Sequence, residues 1–252
     1  MSATKTQAFV LKTQDYRDTS LLVSLYTKDF GKIRGIVKGI RENQARFGST
    51  LEPFSLNEIL FYRRRKGADL HQVTQADLVD PFWTARHDLE QLSYANYLLD
   101  LVDTLVEVDE PNEAIFNLIK DAIDFMQSGA SPRRTARIFE MKLLDELGLA
   151  PELGACVVCR RMTPDPAYFS VSQGGLLCED CHRKRDSGLR FSQGAILFLD
   201  RVRRQPFQAL RPVKVSKEVG MEVERALKLF RDHHLSYPLK TVLFLEKMGY
   251  LS

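Results

Sequence analysis

Residues 20–38 read SLLVSLYTKDFGKIRGIVK. Two runs rich in Leu, Val and Ile, 20–27 and 32–38, flank Asp29-Phe30-Gly31. That is the pattern of two short strands joined by a turn. Upstream, residues 7–12 form another short apolar run; downstream, residues 55–62 (SLNEILFY) and 69–75 complete the series. Five short strands within the first 80 residues predict a small β-barrel of the OB type. Residues 39–52 (GIRENQARFGSTLE) have no periodicity and are too long for a simple hairpin connection. They read as a loop of the length that often serves function.

From Pro81 the apolar spacing changes to the helical period. Leu89, Leu92, Leu98, Leu101, Val102, Leu105 and Val106 make one stripe, punctuated by Pro111. Ile115, Phe116, Ile119, Ala122, Ile123 and Met126 make a second, closed by Gly129. Ser131-Pro132 is an N-cap followed by Pro at the first helical position, and opens a third helix through Phe139, Leu143, Leu144 and Leu147. Residues 151–190 interrupt this pattern and hold all four cysteines. Helical signals resume at Ser192, continue from Ser216 and end over residues 239–248. The expected architecture is therefore α+β and multidomain. An OB-fold barrel (1–80) is followed by an α-helical domain (81–150 and 191–252) with a cysteine module (151–190) inserted in it.

The chain of 252 residues is 44% apolar and 27% charged, enough apolar material for sizeable cores and too much for wholesale disorder. No apolar run approaches the span of about 18 residues that a membrane helix needs. The first 30 residues carry seven charges and no apolar core of a signal peptide, so a cytoplasmic protein is the expectation. Charge is segregated. Residues 1–80 are net +4, 81–150 net −7, 151–190 net +1 and 191–252 net +5. Basic and acidic segments side by side suggest modules with different partners, although ordinary solvated surface gives similar counts.

The cysteines are spaced C-x2-C-x18-C-x2-C: Cys156, Cys159, Cys178 and Cys181. Each knuckle places two thiolates on one ion, and four soft ligands close the tetrahedral shell of a structural Zn2+. Residues 168–170 and 174–177 lie between the pairs and suit a small hairpin. A module of this size buries little core, so a metal would supply folding energy. Two disulfides, a redox pair and the haem-attachment string Cys178–His182 are the competing readings. His182 is also a possible replacement ligand.

No nucleotide-binding glycine loop, zinc-protease helix or serine-hydrolase elbow occurs, and no residues propose a catalytic constellation. The expectation is a protein that is not an enzyme. Basic residues instead gather in the β region. Lys32, Arg34, Lys38, Arg41 and Arg46 lie on or beside one strand and the long loop, and Arg63-Arg64-Arg65-Lys66 occupies the turn between the last two strands. Lys32, Arg34 and Lys38 share parity and so one strand face. Such a face tracks phosphates while aromatics stack bases; Phe30, Phe47, Phe54 and Tyr62 are the aromatics available, each with core as its ordinary role.

The order of motifs carries a resemblance. Tyr16-Arg17-Asp18-Thr19-Ser20 precedes Tyr26-Thr27-Lys28-Asp29-Phe30-Gly31-Lys32, then Val37-Lys38-Gly39-Ile40-Arg41 and Leu51-Glu52-Pro53-Phe54. This series resembles the OB domain of the bacterial recombination mediator family RecO, and Phe230-Arg231-Asp232-His233-His234-Leu235 to Leu245 is similar to that family's final helices. The chain departs at residues 44–48 (QARFG), where the family commonly has a small basic-Ser stretch. The resemblance implies a non-catalytic DNA-repair protein. It would bind single- and double-stranded DNA, anneal complementary strands and pair with RecR, and it would help RecA replace single-strand-binding protein (SSB). It also implies that the helical domain receives the acidic SSB tail, for which Arg201, Arg203, Arg204 and Arg211 are candidates in this chain. The alternative is a zinc-ribbon adaptor or sequence-specific transcription factor, kept open by Arg183-Lys184-Arg185 beside Cys181. A hydrolase or nuclease lacks the carboxylate–metal motif it would need.

Overall fold

The first strand begins earlier and ends later than its apolar run indicates. In the computed structural model, which describes residues 3–40, 47, 51–63, 70–162, 165–185 and 188–251, the first strand is β1 (Ala3–Tyr16). It is followed by β2 (Ser20–Thr27), β3 (Gly31–Val37), β4 (Leu56–Tyr62) and β5 (His71–Asp80). They close into a barrel in the order β1-β2-β3-β5-β4. One long strand serves both sides of the closure. Residues 3–9 of β1 pair with β4 and residues 8–16 pair with β2, with a register shift between Val10 and Lys12. A bulge of this kind bends a strand and increases its twist, which is how one strand reaches two neighbours in a small barrel. The parallel pair β3–β5 seals the other side.

Ile33, Val37, Val23, Leu25, Ile59, Phe61 and Val73 fill the interior. Each such side chain contributes about 1.5–3 kcal/mol on leaving water. The residues between β3 and β4 that are described contain no helix or strand.

Three helices follow the barrel: α1 (Trp83–Arg86), α2 (Leu89–Leu105) and α3 (Glu113–Gln127). Asp88 caps α2, its carboxylate accepting from Gln91 N at 3.0 Å, and these bonds hold its pKa below the ordinary range. The connection after α2 runs against the start of β3. Asp109 N donates to Lys32 O at 2.8 Å, and a Cβ on Gly31 would stand 2.0 Å from Glu110 O. Gly31 also has φ 65°, so the turn at Asp29-Phe30-Gly31 requires glycine twice over.

The join between barrel and helices is strained and clamped. Phe54 (φ 60°) and Phe82 (φ 54°) are both left-handed, both buried, and stack with ring centroids 5.2 Å apart. Bulky residues rarely adopt that conformation. Arg86 holds it: its guanidinium donates to Pro81 O (2.6 Å), Pro53 O (2.9 Å) and Phe54 O (2.7 Å), and lies over the Phe54 ring.

The rest of the chain comprises α4 (Pro132–Glu146), β6 (Ala167–Ser170), β7 (Gly175–Cys178), α5 (Glu179–Arg185), β8 (Leu189–Phe191), α6 (Gln193–Arg204), α7 (Phe207–Leu210), α8 (Lys217–His234) and α9 (Lys240–Lys247). Ser131 caps α4 as the sequence indicates, and Ser192 and Ser216 cap α6 and α8. β8 joins the β6–β7 hairpin as a third strand.

The chain forms two compact units: Met1–Gln127 with Leu239–Ser252, and Ser128–Pro238. These differ from segments drawn by local pattern at 80/81, 150/151 and 190/191. α2 and α3 pack with the barrel, α4 packs with α6 and α8, and α9 returns to α2. There Thr241 donates to Asp100 (2.7 Å) and Tyr94 donates to Tyr250 O (2.6 Å). Periodicity marks each helix but carries no information on which helix it packs against. Among the described residues no helix is long and apolar enough to cross a membrane.

Candidate metal centre and nucleic-acid interface

The first cysteine knuckle is a tight turn. Cys156 N donates to Arg161 O (2.8 Å), Arg160 N donates to Cys156 O (2.9 Å), and Arg160 takes φ 60°. The second knuckle starts at the last residue of β7 and ends in the first turns of α5. Val157 N to Leu176 O (2.8 Å) and Leu176 N to Glu152 O (3.0 Å) tie one knuckle to the strand that carries the other. That strand approaches so closely that a Cβ on Gly175 would stand 2.4 Å from Glu152 O.

As a result the four sulfurs lie within 4.8 Å of one another. Cys156, Cys178 and Cys181 are buried and Cys159 is exposed, with Leu177, Val157, Val158 and Tyr168 packed around them. Four sulfurs at about 2.3 Å from a tetrahedral ion stand roughly 3.8 Å apart, so the cluster suits such an ion with little adjustment.

The electrostatics ask for a cation. Burial opposes charge on Cys156, yet the N–H groups of Cys159, Cys178 and Val158 and the Cys159 thiol bring it down to about 6. Burial and the neighbouring sulfurs push Cys181 up to about 12. Four thiols this close cannot all ionise without a positive partner, and a divalent ion supplies one. His182 is not among the clustered ligand atoms; its ring lies flat on Tyr168, with centroids 3.8 Å apart and planes 8° from parallel.

The basic residues of the barrel divide. Lys32 is a correction: it has outward parity, but α2 covers that end of the face. It is 4% exposed and its Nζ donates to Asp103 O at 2.7 Å. Burial lowers its pKa, partly offset by Asp103 and Glu107. Arg34 is exposed on β3, and Lys38 is exposed just beyond the strand's end. Arg63 is exposed, with its guanidinium over the Phe30 ring at 5.3 Å. Arg41, Arg46, Arg64, Arg65 and Lys66 lie outside the described residues. Of the aromatics, Phe47 and Phe54 are core, Phe30 packs edge-on against Phe61, and Tyr62 is 36% exposed.

Lys12 is the last residue of its apolar run, which gives no sign that it belongs to a basic strand face. β1 continues through it, and it pairs in register with Ser24, which pairs with Arg34.

In the second unit Arg201, Arg203, Arg204 and Arg211 are exposed. Three of them are engaged: Arg203 with Asp145 (2.8 Å), Arg204 with Asp200 (2.9 Å), and Arg211 donating to Ser128 O (2.9 Å). A buried charged cluster, unmarked by sequence reasoning, joins α4 to α8. Arg137 pairs with Glu140 (3.0 Å) and Glu224 (3.7 Å), Arg231 reaches Glu140 (3.5 Å) and Asp232 (2.7 Å), and Arg133 binds Glu224. The available signal was a pair of opposite charges three apart, Arg137 and Glu140, inside an apolar helical stripe.

Two family models match the chain: Recombination protein O N terminal over residues 1–82 and Recombination protein O C terminal over residues 86–242. Curated relatives share this length. The DNA repair protein RecO of Syntrophus aciditrophicus (strain SB) is 32% identical over 248 residues, covering 97% of this chain and 95% of that one. The protein of the same name from Desulforamulus reducens is 32% identical over 249 residues, covering 98% and 96%. That from Shouchella clausii is 31% identical over 251 residues, covering 98% and 97%.

Proposed function

The chain belongs to the RecO family of DNA repair proteins, and we propose that it acts as a recombination mediator, by binding and not by turnover. In this reading the barrel holds single- and double-stranded DNA and promotes annealing of complementary strands. With RecR, the protein helps RecA replace SSB on single strands, in the cytoplasm at the nucleoid. The observation that carries the reading is the closed barrel with exposed Arg34, Lys38 and Arg63 on its surface. Barrels of this topology present oligonucleotides with a basic surface, and a cationic surface lowers repulsion between two phosphate backbones so that pairing proceeds.

The cysteine cluster takes one Zn2+ through Cys156, Cys159, Cys178 and Cys181. There the ion supplies folding energy to a module with little core of its own. Arg201 makes no ion pair among the described residues and is the strongest of the four arginines for an acidic SSB tail. The others already hold protein groups.

The test is annealing of complementary oligonucleotides, bare and SSB-coated, at two salt concentrations and without nucleotide. Salt-sensitive annealing without ATP is expected, because phosphate contacts release counterions. A folded, zinc-loaded sample that neither anneals nor binds DNA would overturn the reading and favour a protein-interaction adaptor.

A further inference from the structure

The four sulfurs of the metal centre are unequally protected. Cys156, Cys178 and Cys181 are 0%, 2% and 8% exposed, whereas Cys159 is open to solvent. The thiolate is the reactive form of cysteine, and metal coordination keeps every ligand in that form. Access therefore decides which sulfur an oxidant meets first, and that sulfur is Cys159. Its Sγ lies 3.6 Å from Cys178 Sγ, across the two knuckles. Cys178 ends β7 and is held there by pairing with Ala167 of β6. An exposed sulfur with a second one beside it, on a fixed strand, is the arrangement of a reactive and a resolving cysteine.

We propose that Cys159 and Cys178 form a peroxide-responsive pair, in which Cys159 is oxidised first, Cys178 resolves it, and the metal is released as a result. The inference rests on the zinc reading of the cluster and is independent of DNA binding. In the first step the Cys159 thiolate attacks one oxygen of hydrogen peroxide. An S–O bond forms, the O–O bond breaks, and hydroxide leaves a sulfenic acid behind. In the second, the Cys178 thiolate attacks the sulfenic sulfur. An S–S bond forms, the S–O bond breaks, and a second hydroxide leaves. Two thiolates are thus oxidised to one disulfide while one peroxide is reduced to two hydroxides.

Cys156 and Cys181 then remain as ligands, and two thiolates hold a structural ion far more weakly than four. The effect on the module is asymmetric. The new bond ties the first knuckle to β7, as the bond from Val157 N to Leu176 O already does. α5 instead loses the tie made through Cys181, one residue before the stack of His182 on Tyr168. Loosening is expected in α5 ahead of the first knuckle.

The experiment treats full-length, zinc-loaded wild type, Cys159→His and Cys178→Ser with millimolar hydrogen peroxide. A zinc-indicator dye reads release, mass spectrometry maps disulfides and dimedone adducts, and circular dichroism checks folding. Cys159→His keeps a zinc ligand at an exposed position and removes the reactive sulfur. Wild type is expected to release its zinc with Cys159–Cys178 as the major linkage, and dithiothreitol with added zinc should reverse both. Cys159→His should release zinc about tenfold or more slowly, since its remaining thiolates are buried. Cys178→Ser should accumulate the dimedone adduct at Cys159. Trypsin should then cut oxidised wild type at Arg183 and Lys184 ahead of Arg160 and Arg161. A major linkage within one knuckle, Cys156–Cys159 or Cys178–Cys181, would overturn the inference. So would equal release from wild type and Cys159→His, or zinc retained with all four sulfurs reduced. The wild-type linkage map decides even where a variant loses its fold. If untreated wild type holds no zinc, the metal reading fails first and the inference falls with it.

Discussion

The Lys32 ammonium caps α2: it donates to the backbone carbonyl of Asp103, one of the last carbonyls of the helix, at 2.7 Å. Those carbonyls lack intrahelical partners and carry the negative end of the helix dipole, so a buried cation there is matched to its site. Lys32→Ala should lower stability by about 1–3 kcal/mol, the cost of leaving a buried acceptor unmet. DNA affinity should stay within about twofold. Burial lowers the folded-state pKa of Lys32 below its ordinary 10.5. The folded protein thus releases this proton first, and wild-type stability rises with pH between the two values. The gap between wild type and variant in urea melts should widen toward pH 10; a gap constant with pH would contradict this placement.

Arg86 should prove more sensitive than its position at the end of a short helix implies. It holds three carbonyls next to Phe54 and Phe82, both left-handed. Arg86→Ala should cost about 3 kcal/mol or more, since charge-assisted bonds are lost together and the strain loses its support. Arg86→Lys should recover little, because an ammonium cannot fork among the three acceptors. Thermal denaturation of the two variants measures both statements.

Metal removal should act locally. Treatment with a strong chelator, or Cys156→Ser, should release one zinc per chain by elemental analysis and expose residues 151–191 to trypsin at Arg160, Arg161 and Arg183. Amide exchange in β1–β5 should stay slow, because those strands belong to the other compact unit. Zinc-independent protection of Cys156 and Cys178 from alkylation would refute a structural metal.

The charged cluster between α4 and α8 gives a contrasting test. Glu140→Gln leaves Arg137 and Arg231, both almost fully buried, short of a negative partner. A loss of about 3–5 kcal/mol is expected in chemical denaturation. Arg204→Ala, which breaks an exposed pair with Asp200, should change stability by under about 1 kcal/mol.

What the sequence reveals follows how local each determinant is. β2 matches residues 20–27, and the turn, the serine caps and the two cysteine pairs are all written within a few neighbouring residues. The fate of Lys32 depends instead on a helix 71 residues away, and parity alone cannot tell an open strand face from a covered one. β1 outruns its apolar stretch because its last four residues, Thr13–Tyr16, are polar where they meet solvent; cross-strand pairing with residues 20–23 makes them strand. The charged cluster was hidden for the opposite reason. Arg137 and Glu140 fall inside an apolar stripe, but their partners Glu224 and Arg231 lie on a helix more than 80 residues away, and only the packing of α4 on α8 brings them together.

The return of α9 to α2 has a consequence for synthesis. The ribosome delivers the barrel and α2 first, then all of Ser128–Pro238, and only afterwards the helix that Tyr94 and Asp100 await. At about 5–20 residues per second, that delay is roughly 5–20 s. Over that interval the face of α2 that α9 covers stands open, while Ser128–Pro238, contiguous in sequence, is free to finish folding. The later segment thus completes a unit begun before Ser128–Pro238, and the nascent chain is most vulnerable to misassembly along α2.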